Sequence, residues 1–226
     1  MIRAVVFDLW NTLVHSQNGD PFQHLQRLLR PDQARLFPVL KRDAMGHPHV
    51  DAQAFLEEWK DRLELSAEQL RTMADVFRTA AGDAECFPEA IQAVRDTRRV
   101  ARVALLSNTQ SFDLGFLERL GLTTLLPSRF LSAELGVLKP ELRAFEAVQR
   151  RLGLFAGEIA MVGDSWRDDI TGALEAGWTA IWVNRKGVER PAHDADAELV
   201  EVADLAPVPR LIENLQAGAR CSTCLG

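Results

Sequence analysis

Five short apolar runs constrain this chain more than any other feature: Ala4–Phe7, Val103–Leu106, Phe130–Leu131, Ile159–Val162 and Ala180–Val183. None alternates with polar residues, as a strand with one wet face would. Strands that are apolar on both sides belong to a parallel sheet covered above and below. Between the later runs the spacing is helical. Ala90, Ile91 and Val94 share a face, as do Phe116, Leu117 and Leu120, and Ile170, Ala173 and Leu174, with Gly121 and Gly177 placed as stops. Strands alternating with helices predict an α/β fold, a doubly wound, Rossmann-like three-layer core with a parallel sheet.

The first interval breaks this rhythm. About 90 residues separate Asp8 from the next run, far more than a crossover helix needs. The stretch from His15 to Glu85 is charged, carries amphipathic segments at Phe55–Leu65 and Ser66–Phe77, and shows no convincing strand. It reads as an inserted helical subdomain. The expected division is therefore residues 1–14 and 86–226 as the α/β core, with 15–85 as the insertion.

In an open parallel sheet, ligands bind beyond the C-terminal strand ends. The first run ends in Asp8, the second in Ser107-Asn108 and the fourth in Gly163-Asp164-Ser165, followed by Trp166-Arg167-Asp168-Asp169. These residues should converge on one site. Carboxylates gathered this way repel one another unless a cation lies between them, and hard oxygen ligands suit Mg²⁺. Lys139, in Gly136-Val137-Leu138-Lys139-Pro140, follows the third run and stands before a helix. Its ammonium, the Ser107 hydroxyl and backbone N–H groups would together hold a phosphate or another anion.

Composition narrows the partners. The chain has 226 residues, 47% of them hydrophobic, which is ample for a core. A net charge of −6 argues against nucleic acid or an anionic membrane as principal partner. Lysines are scarce (Lys41, Lys60, Lys139 and Lys186), and tyrosine is absent, which removes phenol as an acid, base or nucleophile. The opening MIRAVVFDLW is broken by Asp8 and too short for a signal peptide or membrane span, so a cytoplasmic location is expected. Three cysteines make no disulfide framework. Cys86 reads as a small apolar residue, and Cys221 and Cys224 as part of a frayed tail.

The ordered set FDLWNTL, LLSNT, GVLKP and VGDSWRDDITGALEAG resembles the four motifs of the haloacid dehalogenase superfamily. They are Asp-x-x-x-Thr, a Ser or Thr after an apolar strand, Lys-Pro, and Gly-Asp with a second acid four or five residues on. The insertion falls where that family places a small α-helical cap. The resemblance implies Mg²⁺-dependent hydrolysis of a small phosphorylated metabolite. Asp8 would be the nucleophile, forming an aspartyl-phosphate. Thr12 would orient the motif loop, Ser107 and Asn108 would bind the phosphoryl group, and Lys139 would stabilise developing charge. Asp8, Asp164 and the main-chain carbonyl of Trp10 would ligate the metal, and Asp169, or its neighbour Asp168, would hold it through water.

One position departs from the pattern. Phosphatases of this family usually carry a second aspartate two residues after the nucleophile, which protonates the leaving group and then activates water. Here it is Trp10, whose indole cannot exchange a proton near neutral pH. Three readings follow: a phosphatase whose acid comes from elsewhere, with His15, Asp20 and His24 as candidates; a metal-free 2-haloacid dehalogenase, a class that also lacks the second aspartate but generally lacks the Gly-Asp acid cluster; or a catalytically weak or inactive member that binds a phosphorylated ligand or a protein. Trp10 also reads as a hydrophobic wall beneath the cap. His47-Pro48-His49 has a ligand-like spacing but reads as a solvated turn, and Arg27, Arg30, Arg35 and Arg42 as mostly solvated helix faces.

Overall fold

Alternate residues of the central strands point to opposite sides of one sheet, and both sides are apolar. Val5, Phe7, Val103, Leu105, Val162 and Ile181 enter one buried cluster; Ala4, Val6, Ala104, Leu106, Met161 and Ala180 enter the other. The computed structural model describes residues 1–192 and 198–223. In it β1 (Ala4–Phe7), β4 (Arg102–Ser107), β5 (Ser128–Leu131), β6 (Ile159–Gly163), β7 (Thr179–Val183) and β8 (Leu199–Val202) form a sheet in the order β5-β4-β1-β6-β7-β8. Every neighbouring pair is parallel.

Helices α5 (Ala90–Val100) and α11 (Val208–Thr223) cover the first face; α9 (Leu142–Leu152) and α10 (Gly172–Glu175) cover the second. Three layers follow directly from strands with two apolar faces. The five sequence runs are all strands. The sixth, β8, escaped notice because Leu-Val-Glu-Val is a short edge strand, largely uncovered. The expected helix around Phe116 is divided: α6 (Phe116–Arg119) stops at Gly121, whose φ of 73° only glycine adopts cheaply, and α7 (Leu122–Leu125) starts there. Helix α8 (Ser132–Leu135) follows β5.

Between β1 and β4 lie α1 (Pro21–Leu28), a 3₁₀ turn at Pro31–Leu36, α2 (Phe37–Gly46), α3 (Ala52–Leu63) and α4 (Ala67–Gly82). The amphipathic segments are thus helical. The expectation of no strand in this stretch is corrected: β2 (Val14–Ser16) and β3 (Ala84–Cys86) pair antiparallel, with His15 opposite Glu85. Each is three residues long and mostly polar, too little for a periodic signal. This ribbon carries the chain out of the sheet and back.

The inserted helices have their own core, including Phe22, Leu40, Phe55, Trp59, Met73 and Phe77. Phe112, from the loop after β4, enters it. Its ring lies 6.1 Å from that of Phe55 and 5.6 Å from that of Phe77. Nearby, Ser111 Oγ receives the His49 N–H at 2.8 Å and donates to the His49 carbonyl at 2.9 Å. The helices are therefore fastened to the loop that follows Ser107. No helix among the described residues is long and apolar enough to cross a membrane.

Phe112→Ala removes this anchor, and truncating a buried phenylalanine costs about 3–5 kcal/mol. A urea titration should show that loss, with the unfolding of the inserted helices separating from that of the sheet.

Candidate active site

The strand order turns at β1: the chain runs to one side through β4 and β5, and to the other through β6 and β7. A crevice at such a switch point is where a ligand sits. Register brings the strand ends level, since Phe7 pairs with both Leu105 and Val162. Asp8 is therefore one residue beyond the last pair, and its N–H donates to the Val162 carbonyl at 2.8 Å. The chain then turns back sharply: the N–H groups of Leu13 and Val14 both reach the Leu9 carbonyl, and Asn11 takes a left-handed φ of 60°. Asparagine tolerates that conformation better than most residues.

Lys139 lies at the centre. Its Nζ donates to Asp8 Oδ1 at 2.7 Å, Asp169 Oδ1 at 2.6 Å and the Leu106 carbonyl at 2.8 Å. Burial alone would lower this ammonium's pKa, but Asp169 and Asp8 hold it above the ordinary lysine range. Asn108 grips the Lys139 backbone with both ends of its amide, donating to the carbonyl and accepting from the N–H, each at 2.8 Å. The Lys139–Pro140 peptide is cis.

A π-helical turn at Trp166–Thr171 supplies the acids. Ser165 caps it, accepting the Asp168 N–H, while Asp169 Oδ2 receives the Ser165 N–H at 3.0 Å. Two glycines make the approach feasible. A Cβ on Gly163 would stand 2.3 Å from the Asp169 carboxyl carbon, and one on Gly172 would stand 2.5 Å from the Phe145 ring and 3.1 Å from Pro140 Cα. The carboxylates of Asp8, Asp164 and Asp169 bring oxygens within 4.8 Å of one another. Asp169, rather than Asp168, therefore completes the cluster. Burial, reinforced by Asp8, pushes the Asp164 carboxyl up to about 7 despite Lys139. Burial also pushes Asp169 up, with Lys139 pulling the other way, and raises Asp168.

The remaining residues fall into two groups. Ser107 Oγ is buried without a hydrogen-bond partner. Thr12 is fully buried and its hydroxyl accepts the Asp164 N–H at 3.1 Å, tying the first loop to the fourth. Trp10 Nε1 donates to Thr109 Oγ1 at 3.3 Å, and its ring packs 5.2 Å from Phe116. Of the three suggested proton donors, Asp20 lines the crevice. His15 packs on Phe87 instead, and His24 meets the Asn18 carbonyl. His47 pairs with Asp43, whereas His49 lies among Asp43 and Glu58, so the two do not act as a chelating pair. Arg42 pairs with Glu141, at the crevice edge. Cys224 lies outside the described residues, as does the Cys221 side chain.

Above the cluster is a cavity of about 920 Å³. Asp8, Trp10, Asn108, Lys139, Asp164 and Asp168 form its floor, and Phe22, Phe37, Lys41, Arg42, Met45 and Phe77 from the inserted helices its roof. Sequence reasoning missed Lys41 and the apolar roof residues, because nothing local marks a helix face that closes over a distant loop, whereas Arg42 is among the arginines of which one is expected to reach the crevice.

A buried lysine is thus shared by two carboxylates, with a third carboxylate and an unpartnered hydroxyl beside them. The chain matches the haloacid dehalogenase-like hydrolase family over residues 2–177, and it belongs to that family. It is 31% identical over 143 residues to a phosphoserine phosphatase from Thermus thermophilus, a match covering 62% of this chain and 57% of that one. The chain thus spans little more than half the length of that relative. It is 30% identical over 204 residues to an (S)-2-haloacid dehalogenase from Pseudomonas sp. strain YL, covering 82% and 84%. Among solved structures, a haloacid dehalogenase-type phosphatase from Thermococcus onnurineus superposes with a TM-score of 0.66 at 23% identity, covering 93% and 98%, which bears on the fold alone.

Two measurements check this geometry. Gly163→Ala should displace the Asp169 carboxyl, abolishing most activity while costing stability. The second concerns Asp164, whose folded carboxyl titrates near 7 against an ordinary 3.8. The folded state holds a proton that the unfolded state releases, so this contribution to stability is full below the ordinary value and lost as pH rises through about 7. In chelator, the melting temperature should fall between about pH 4 and about pH 7. Asp164→Asn should reduce that fall without abolishing it, since Asp168 and Asp169 are raised as well, each kcal/mol being worth about 2–4 °C in a chain of this size.

Proposed function

We propose that this protein hydrolyses small phosphomonoesters with the help of Mg²⁺, through an aspartyl-phosphate on Asp8, with residues 15–85 acting as a cap over the core formed by 1–14 and 86–226. The observation that carries this reading is the triad of Asp8, Asp164 and Asp169 around a single ammonium. Three carboxylates outnumber one lysine, and burial, reinforced by Asp8, holds the Asp164 carboxyl up. That donor set fits a divalent cation, and the orphaned Ser107 hydroxyl fits a phosphoryl oxygen.

Asp8, Asp164 and the Trp10 carbonyl would hold Mg²⁺, with Asp169 meeting it through water. When bound, the ion neutralises charge on the phosphoryl oxygens and orients the group. Lys139 holds Asp8 Oδ1, which leaves Oδ2 to attack phosphorus. Ser107 donates to a phosphoryl oxygen, and Lys139, fixed by Asn108, stabilises charge as the bond to the leaving group breaks. Thr12 keeps the nucleophile loop and the Asp164 loop in register. The inserted helices exclude water from above, and Lys41 and Arg42 favour an anionic metabolite.

A second reading, metal-free hydrolysis of a 2-haloacid, draws on the apolar wall of Trp10, Phe22 and Phe37 beside Asp8 and on the dehalogenase relative. Against it stands the carboxylate cluster, which without a cation would repel a carboxylate substrate. One assay separates the two. Nitrophenyl phosphate should be hydrolysed with Mg²⁺ and not in chelator, and Asp8→Asn should lower the rate at least about 10³-fold. Halide release from a 2-haloacid in chelator, without phosphate release, would replace this reading with the second.

A further inference from the structure

Cleaving a P–O bond leaves an electron pair on the departing oxygen. An alkoxide needs a proton at that moment, whereas a phenolate, whose acid has a pKa of about 10, or a carboxylate, about 4, departs far more readily alone. What the crevice offers as an acid therefore decides which esters it opens.

The lining residues offer very little. The chain has no tyrosine, and among the described residues no histidine or cysteine lines the crevice. Lys139 has its three contacts filled by Asp8, Asp169 and the Leu106 carbonyl. Asp20 is spent as the cap of α1, accepting the Phe22 N–H at 2.9 Å with Lys41 3.6 Å away. Glu141 is paired with Arg42 at 2.8 Å. Asp8, Asp164 and Asp169 belong to the nucleophile and its cation, which leaves Asp168 as the one carboxyl among the described lining residues with no part assigned, and the test below addresses it. Beside the nucleophile, where a donor would be most useful, is Trp10, whose one N–H is committed to Thr109 and whose ring, with Phe22, Phe37 and Phe77, makes an apolar wall. Such a wall suits a flat organic group and does nothing for an alkoxide.

We propose that the site accepts phosphate compounds whose leaving group departs as a stabilised anion: aryl, enol or acyl phosphates, not simple alkyl esters. The inference rests on the phosphatase reading and adds its substrate class. Asp8 Oδ2 forms the new bond to phosphorus, and the old P–O bond breaks with its electron pair on the leaving oxygen, which departs unprotonated. Water then attacks phosphorus, the bond to Asp8 breaks, and both protons of the water pass to the released phosphate and the solvent.

The test is a leaving-group series with Mg²⁺: kcat/KM for dinitrophenyl, nitrophenyl and phenyl phosphate, acetyl phosphate and glycerol phosphate. Wild type should cleave the activated esters and acetyl phosphate, and should fall by about 10²-fold or more on glycerol phosphate. Trp10→Asp should narrow that gap at least tenfold, while Trp10→Asn, which loses the same packing without gaining an acid, should leave it wide. Thermal melts of the two variants establish that both fold; if neither does, the wild-type series decides alone. Wild type cleaving glycerol phosphate as fast as nitrophenyl phosphate would overturn the proposal. So would a wider gap in Asp168→Asn, because that would reveal a resident donor. Both results leave the phosphatase reading standing. Absence of any Asp8-dependent phosphate release would bring down both.

Discussion

The structure depends on one buried cation. Lys139 is almost inaccessible, yet its ammonium touches the end of β1 through Asp8, the end of β4 through the Leu106 carbonyl, and the π-helical turn through Asp169. Removing a charge from water is costly unless its hydrogen bonds are all met, and here all three are. The same ammonium therefore fixes the relative heights of three loops that share no strand pairing beyond the sheet. Its placement is itself supported. Asn108 grips its peptide from 31 residues away, and Gly172 allows Phe145 and Pro140 to pack closely beneath the turn. A site assembled from loops acquires the rigidity of the sheet by this route.

How far this was legible in the sequence depends on the range of the interaction. The central strands announce themselves because Ala4–Phe7 or Ile159–Val162 must be apolar on both faces, a property of the residues alone. β8 does not, since half of Leu-Val-Glu-Val lies at an open edge where composition is free. Nor do β2 and β3, whose His15–Glu85 pairing is a consequence of chain direction rather than of apolar content. Within the site, Lys139 enters from the loop after α8, while the positions of Asp8, Ser107 and Asp164 follow from standing at strand ends. The choice between Asp168 and Asp169 does not, because it turns on a π-helical turn and on Gly163 leaving room for one carboxyl.

Asn108 and Thr12 illustrate a subtler limit. Asn108 is expected from the family resemblance to bind the phosphoryl group and Thr12 to orient the loop of Asp8. In the structure their polar atoms are occupied by backbone groups of other loops: Lys139 for Asn108, Asp164 for Thr12. Side chain to backbone bonds across more than 30 residues leave no periodic trace, and a polar residue beside a nucleophile looks the same whether it faces the ligand or the scaffold. Burial separates the cases. Ser107 is the residue whose hydroxyl is buried and still unpaired, so it is the one with a bond left to offer.

The net charge of −6 conceals a division that matters more than its total. At the floor of the crevice, Asp8, Asp164 and Asp169 share one ammonium, an excess of negative charge that an anionic substrate would meet as a barrier. At its rim stand Lys41, Arg42 and Arg167, the first two offset by Asp20 and Glu141. A low-dielectric cleft strengthens the field of the floor, and so little positive charge at the rim does not cancel it; an approaching anion is repelled until the floor is neutralised. Under the proposed function a cation there would be as much a condition for binding the anion as for its chemistry.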